Sequence, residues 1–173
     1  RGKGRDKEKQ NETFTGGITN MGGHVFQLSE EGRKANQFTK TMETLRDYTV
    51  TYYEHAADLA SLFEIPSRGV VIPEPEDEPP LLDPGDAKSG RAGPSHRGFV
   101  SWKRECTAYD LRNEVLTANL LKLFTVVLLQ SSPSVRAKLE ATKGYEKART
   151  EYDCPWFFNE MRNICHHFEH TEN

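Results

Sequence analysis

The ten residues from Leu120 to Leu129, inside the longer run Val115 to Gln130, constrain this chain more than any others. All of them are apolar except Lys122 and Thr125. A surface helix shows one apolar stripe, whereas a helix that is apolar nearly all round sits among other elements. The run is too short and too interrupted to cross a bilayer, which takes about 20 apolar residues. It predicts a central buried helix with other helices packed round it.

The chain has 173 residues, enough for one domain with a real core plus a long loop or tail. Apolar residues make up 35% and the mean hydropathy is -0.74. Either part of the chain stays outside the core or the core is small. A net charge of -3 argues against nucleic-acid binding by bulk electrostatics. The charge is uneven, however. Residues 97–149 carry ten Lys/Arg against five Asp/Glu, and residues 150–173 carry Arg162 against five acids. Such segments pair within a chain or between copies, or are simply two solvated faces. The cysteines are Cys106, Cys154 and Cys165. An odd, sparse set describes no disulfide framework and predicts a reducing compartment. No signal peptide, membrane span or lipidation motif is visible, so the expected location is the cytoplasm.

Residues 1–13 read as a disordered basic tail, because so few apolar groups cannot offset chain entropy. Phe14 to Leu28 carries two glycine pairs, Gly16-Gly17 and Gly22-Gly23, and ends in a short extended segment. No Gly-Lys-Ser/Thr follows and no Rossmann spacing appears, so the glycines predict tight turns or a hairpin rather than a phosphate cradle. Phe38, Met42, Leu45, Thr49, Tyr52/Tyr53, Ala56, Leu59 and Phe63 keep a three-four spacing. They predict one helix over 35–63, started by Ser29 or Asn36 and followed by Pro66. Residues 66–98 hold seven of the nine prolines, with acids and glycines, and predict a long disordered insertion.

Trp102, Cys106, Tyr109, Asn113 and Leu116 restart the helical spacing and carry it into the central run. Either one helix reaches about Gln130, or two meet near Thr117-Ala118-Asn119. Ser132 as N-cap and Pro133 in first helical position start a short helix, Val135 to Ala141, closed by Gly144. Asp153-Cys154-Pro155 marks a last start, with Trp156/Phe157, Met161, Ile164/Cys165 and Phe168 on its apolar face. The fold class is all-α: a bundle of four to five helices forming a single domain over 14–169, interrupted at 66–98, with a short tail at 170–173.

No catalytic constellation stands out. Cys154, Cys165, His166, His167 and His170 are the best metal candidates, with His166 and His170 four residues apart. They lack a Cys-x-x-Cys and the glutamate of an HExxH helix, and histidines in a last turn suit the helix dipole without a metal. Cys106 and Cys165 fall on apolar faces, where an inert buried thiol is the default. No catalytic residue, metal or cofactor is assigned, no small-molecule substrate or membrane is expected, and the chain reads as a non-enzyme.

The order of these pieces resembles the Gag-like polyprotein region of copia-type LTR retrotransposons. The matching residues are Phe14 to Phe26 (FTGGITNMGGHVF), then Gln37-Phe38-Thr39-Lys40-Thr41, Leu45 and Tyr48. Beyond the insertion they are Trp102, Tyr109, Arg112, Leu116, Asn119 and Leu123, followed by Gln130-Ser131-Ser132, Lys138-Leu139, Tyr145-Glu146 and Asp153, with the helix through Ile164. The resemblance implies a helical capsid module that self-associates into particles packaging the element's RNA. Family polyproteins carry a Cys-x2-Cys-x4-His-x4-Cys zinc knuckle downstream, and none is present here. The chain would then be the N-terminal capsid-type portion. RNA contact is expected from Lys103, Arg104, Arg112, Lys122, Arg136 and Lys138, and homo-oligomeric assembly from the surplus aromatics Trp156, Phe157 and Phe158. The alternative is a helical adaptor or RNA-binding module with no assembly role.

Overall fold

A computed structural model describes residues 13–28, 36–78 and 96–166. The basic tail over 1–12, the cap position Ser29, most of the proline-rich insertion (79–95), and His167 and His170 lie outside the described residues. Among the described residues the fold is all-helical, with six α-helices: α1 (Gln37–Tyr52), α2 (Ala60–Glu64), α3 (His96–Leu129), α4 (Pro133–Glu140), α5 (Tyr145–Glu151) and α6 (Cys154–His166). That is more than the four to five expected. Short 3-10 turns at Thr19–Met21, Ala56–Leu59 and Pro66–Arg68 join or precede them.

The central run lies in one continuous helix of 34 residues, with no break near Ala118. It is not buried all round, because Leu121 is 42% and Leu129 38% exposed, while Leu123 and Val127 are buried. The side of α3 that carries Leu116, Leu123, Phe124 and Val127 meets the core, where Leu45, Leu59, Leu62, Leu139, Phe157 and Met161 are fully buried. The helix is a wall of the domain rather than its axis.

The long helix expected over 35–63 is divided in two. It stops at Tyr52; Tyr53 is extended, His55 is left-handed at φ 50°, and a 3-10 turn leads into α2. The sequence Thr49-Val50-Thr51 lowers helix propensity through β-branching, and Thr49 Oγ1 bonds back to the Arg46 carbonyl at 2.7 Å. Tertiary contacts then fix the break. Asn119 Nδ2 donates to the Glu54 carbonyl at 2.7 Å, and Arg112 on α3 forms a bidentate ion pair with Asp58. Asn36 occupies the N-cap of α1 in the left-handed region but makes no side-chain cap bond.

The first part of the insertion is not a free connector. Pro66 and Ile72 are buried, Ser61 Oγ donates to the Gly69 carbonyl at 2.8 Å, and Trp102 Nε1 donates to the Glu76 carbonyl at 2.9 Å. Ile65 to Glu78 is thereby held against α2, α6 and the first turns of α3. The α3 helix begins at His96, inside the span expected to be linker.

Both predicted starts with a cap and a proline form. Ser132 Oγ accepts from Val135 N and Pro133 opens α4; Asp153 Oδ1 accepts from Trp156 N at 3.0 Å and Pro155 follows Cys154 in α6. Gly144 does not merely close α4. At φ 98° it turns the chain into α5, whose Tyr145 and Ala148 are buried.

Phe14 to Leu28 is not a hairpin. It lies across the C-terminal end of α3 and pairs with the residues just beyond it through one isolated parallel bridge, Phe26 to Ser131. Phe26 N donates to the Gln130 carbonyl at 2.8 Å, and Ser132 N donates to the Phe26 carbonyl at 2.9 Å. Gly17 N donates to the Leu129 carbonyl at 3.0 Å, so the segment satisfies carbonyls that the end of α3 leaves open.

Candidate assembly and RNA-contact surfaces

The glycine-rich segment is hydrogen-bonded to the end of α3. The Gln130 side chain is fully buried. Its Nε2 donates to the His24 carbonyl at 2.8 Å, and its Oε1 accepts from Ile18 N at 2.8 Å. One amide thus satisfies a donor and an acceptor from a segment more than 100 residues away. Gly16 sits at φ 83°, and a Cβ there would collide with the Gln130 amide, so both backbone freedom and space require glycine. Thr41 Oγ1 and Gln37 Nε2 both donate to the Val25 carbonyl, at 3.0 and 3.1 Å, fastening the same segment to α1. The resembling residues Gly16, Gln37, Thr41 and Gln130 are therefore all used in joining three parts of the chain.

The residues expected to form an assembly face are placed elsewhere. Phe157 and Phe158 are each 1% exposed. Phe157 packs on Phe124 with ring centroids 4.2 Å apart, and Phe158 packs on Phe63 at 5.7 Å. Only Trp156 reaches the surface, half-buried beside Gly144. The aromatic surplus in α6 is core, because the helix packs on two sides, against α3 and against the α2 region.

The six basic residues do not form one patch. Arg104 and Lys122 share an exposed side of α3 but stand about 27 Å apart along it. Lys103 lies 4.9 Å from the Phe99 ring and Lys122 5.9 Å from the Tyr53 ring. Arg112 is committed to Asp58, which raises the guanidinium pKa further. Arg136 turns back, its Nε donating to the Ser131 carbonyl at 3.1 Å. Lys138 is exposed in the last turn of α4.

Among the described residues no group of three His, Cys, Asp or Glu side chains converges to hold a metal ion. Cys154 and Cys165 are buried, and Cys106 is half-buried. Burial and the neighbouring Asp153 push the Cys154 thiol up to about 12, and its Sγ donates to the Leu120 carbonyl at 3.4 Å. A thiol so held stays protonated and is a poor nucleophile. Two of the surface grooves are lined by described residues. One, of about 400 Å³, is lined by Phe14, Gly22, Gly23, His24, Gln37 and Lys40; the other, of about 210 Å³, by Phe38, Met42, Arg46, Phe63 and Arg162 among others. No described helix is long and apolar enough to cross a membrane.

The surface that sequence reasoning missed is the outward side of α3. Leu111 is 54% exposed, and with Leu121 and Leu129 it makes a line of apolar side chains on the side away from the core. The signal was present in the polar residues among and just before them: Thr107, Glu114, Lys122 and Thr125 all fall on that same side. Compared with protein-family models, curated proteins and solved structures, the chain matches none.

Proposed function

We propose that this protein is a structural, Gag-like capsid module of a copia-type retrotransposon, which self-associates into particles around the element's RNA. The observation that carries the reading is the Gln130 junction. The stretch that bears the resemblance, Phe14 to Phe26, is spent on fixing the end of the longest helix, with Gln130 bonded to His24 and Ile18. Such a stretch supports a scaffold that holds surfaces in place, and presents no reacting group. The exposed Leu111, Leu121 and Val71 add apolar area of the kind that association removes from water. On this reading the chain is not an enzyme and acts in the cytoplasm.

Light scattering across a concentration series tests it: mass should rise with protein concentration, and particles should form when RNA is added. A strictly monomeric species at high concentration and moderate salt would remove the assembly role.

The alternative is an RNA-binding helical module that does not assemble. Lys103 and Arg104, both exposed near the start of α3, favour it. In that case affinity for RNA should fall steeply with salt, and filter binding at two salt concentrations on a monomeric sample separates the two readings.

A further inference from the structure

We infer that the outward face of α3 is a two-fold interface, on which a second copy of this chain lies antiparallel, crossing at Ala118. The inference rests on the assembly reading and specifies its contact. At 100° per residue, Thr107, Leu111, Glu114, Val115, Ala118, Leu121, Lys122, Thr125 and Leu129 all point within about 60° of the Ala118 direction. All of them are exposed except the half-buried Val115; among the described residues only Gly17, beside Leu129, and the Tyr53 ring, beside Lys122, reach its edges.

The occupant follows from the order of residues along the face. A two-fold axis at Ala118 brings each residue opposite the one equally far beyond Ala118 on the partner copy. Leu111 then meets Thr125, and Thr107 meets Leu129, a large side chain against a small one in each case. Glu114 comes level with Lys122 of the second copy, with opposite charge, close enough to the seam for the two long side chains to reach each other. Ala118 meets itself, and a methyl group at the crossing point lets two helices approach to roughly 8–10 Å. Every pairing is generated twice by the symmetry, as an isologous contact requires. Within one chain Glu114 and Lys122 are eight residues apart, about 12 Å along the helix, too far to pair with each other. Glu114 has no ion-pair partner among the described residues, and the Lys122 ammonium lies over the Tyr53 ring, 5.9 Å from its centroid, with no carboxylate paired to it among the described residues. The Glu114 carboxylate is left for another molecule, and its complement on this face is Lys122 of the second copy.

Charge reversal tests the pairing by sedimentation equilibrium of the full chain. Glu114→Lys and Lys122→Glu should each weaken association at least tenfold, and the double variant should return to within about threefold of the parent. In a Cys106→Ser background, Ala118→Cys should give a cross-linked dimer on mild oxidation. Leu111→Cys alone should not, but should cross-link when mixed with Thr125→Cys. If the chain associates and charge reversal changes nothing, or Ala118→Cys fails to cross-link, this interface is wrong while assembly itself stands. If the parent chain is monomeric throughout, both fall.

Discussion

Gln130 Nε2 and the carbonyl oxygen of His24 are 2.8 Å apart across a separation of 106 residues, and the same buried amide receives the N–H of Ile18. Removing it leaves a backbone donor and a backbone acceptor without partners, each costing about 1–3 kcal/mol. Gln130→Leu is therefore expected to lower stability by about 2–4 kcal/mol in urea denaturation. Gly16→Ala should act in the same direction, because its methyl group meets that amide at a positive φ. A Gln130→Leu midpoint equal to that of the parent would show that the junction contributes nothing.

The two sides of α3 separate cleanly by substitution. Leu123 is fully buried, so Leu123→Ala should cost about 2–5 kcal/mol. Leu121, two residues earlier and 42% exposed, should change the stability of the isolated chain by less than about 0.5 kcal/mol when replaced by Ala. Thermal melts at low concentration, where association does not contribute, check both. Equal losses would mean that both sides are buried.

Ile72 lies in a stretch whose composition reads as a connector, yet it is only 5% exposed. Ile72→Asn places an amide in that apolar site and should destabilise by about 2–4 kcal/mol. The neighbouring Val71 is 84% exposed, and Val71→Asn should be close to neutral. Chemical denaturation of the pair distinguishes a docked segment from a tether, for which both changes would be silent.

Stability should fall at alkaline pH. The Cys154 thiol is raised from 9.0 to about 12 by burial, and burial also raises Tyr53 and Tyr145. A folded-state pKa above the unfolded value means that the folded chain holds the proton more tightly. The contribution of Cys154 is fully present below about pH 9 and is lost as pH rises from there toward 12. Urea midpoints measured from pH 7 to 11 should decline above 9, and Cys154→Ala should decline less. At pH 8, iodoacetamide should label the half-buried Cys106 ahead of Cys154 and Cys165 in the folded chain.

Some of this was written locally. Ser132-Pro133 and Asp153-Cys154-Pro155 start helices because their side chains and fixed φ act on the next three residues. The Leu120 to Leu129 run formed helix because no breaker interrupts it. Periodicity also named part of the core, including Phe38, Leu45, Leu59, Leu123 and Met161. It failed where a residue's fate depends on a distant partner. The α1 break at Tyr53 is held by Asn119 and Arg112, and within residues 35–63 only the weak helix propensity of Thr49-Val50-Thr51 hints at it.

The aromatics of α6 show the same limit. Trp156, Phe157 and Phe158 are three adjacent rings, which in an isolated helix cannot all face one core. The structure buries two of them by packing α6 on two sides, against Phe124 and against Phe63. The α3 run errs in the opposite direction, since its excess of leucine leaves Leu111, Leu121 and Leu129 outside.

By itself, then, the sequence determined the helical class, the helix starts at Ser132 and Asp153, and which residues have an apolar face to bury. Only the tertiary structure decided where the long α1 run breaks, that Gln130 closes on Ile18 and His24, and which side of α3 carries its exposed leucines. The reason is physical: caps and periodicity act over one or two turns, whereas burial is a property of what packs from elsewhere in the chain.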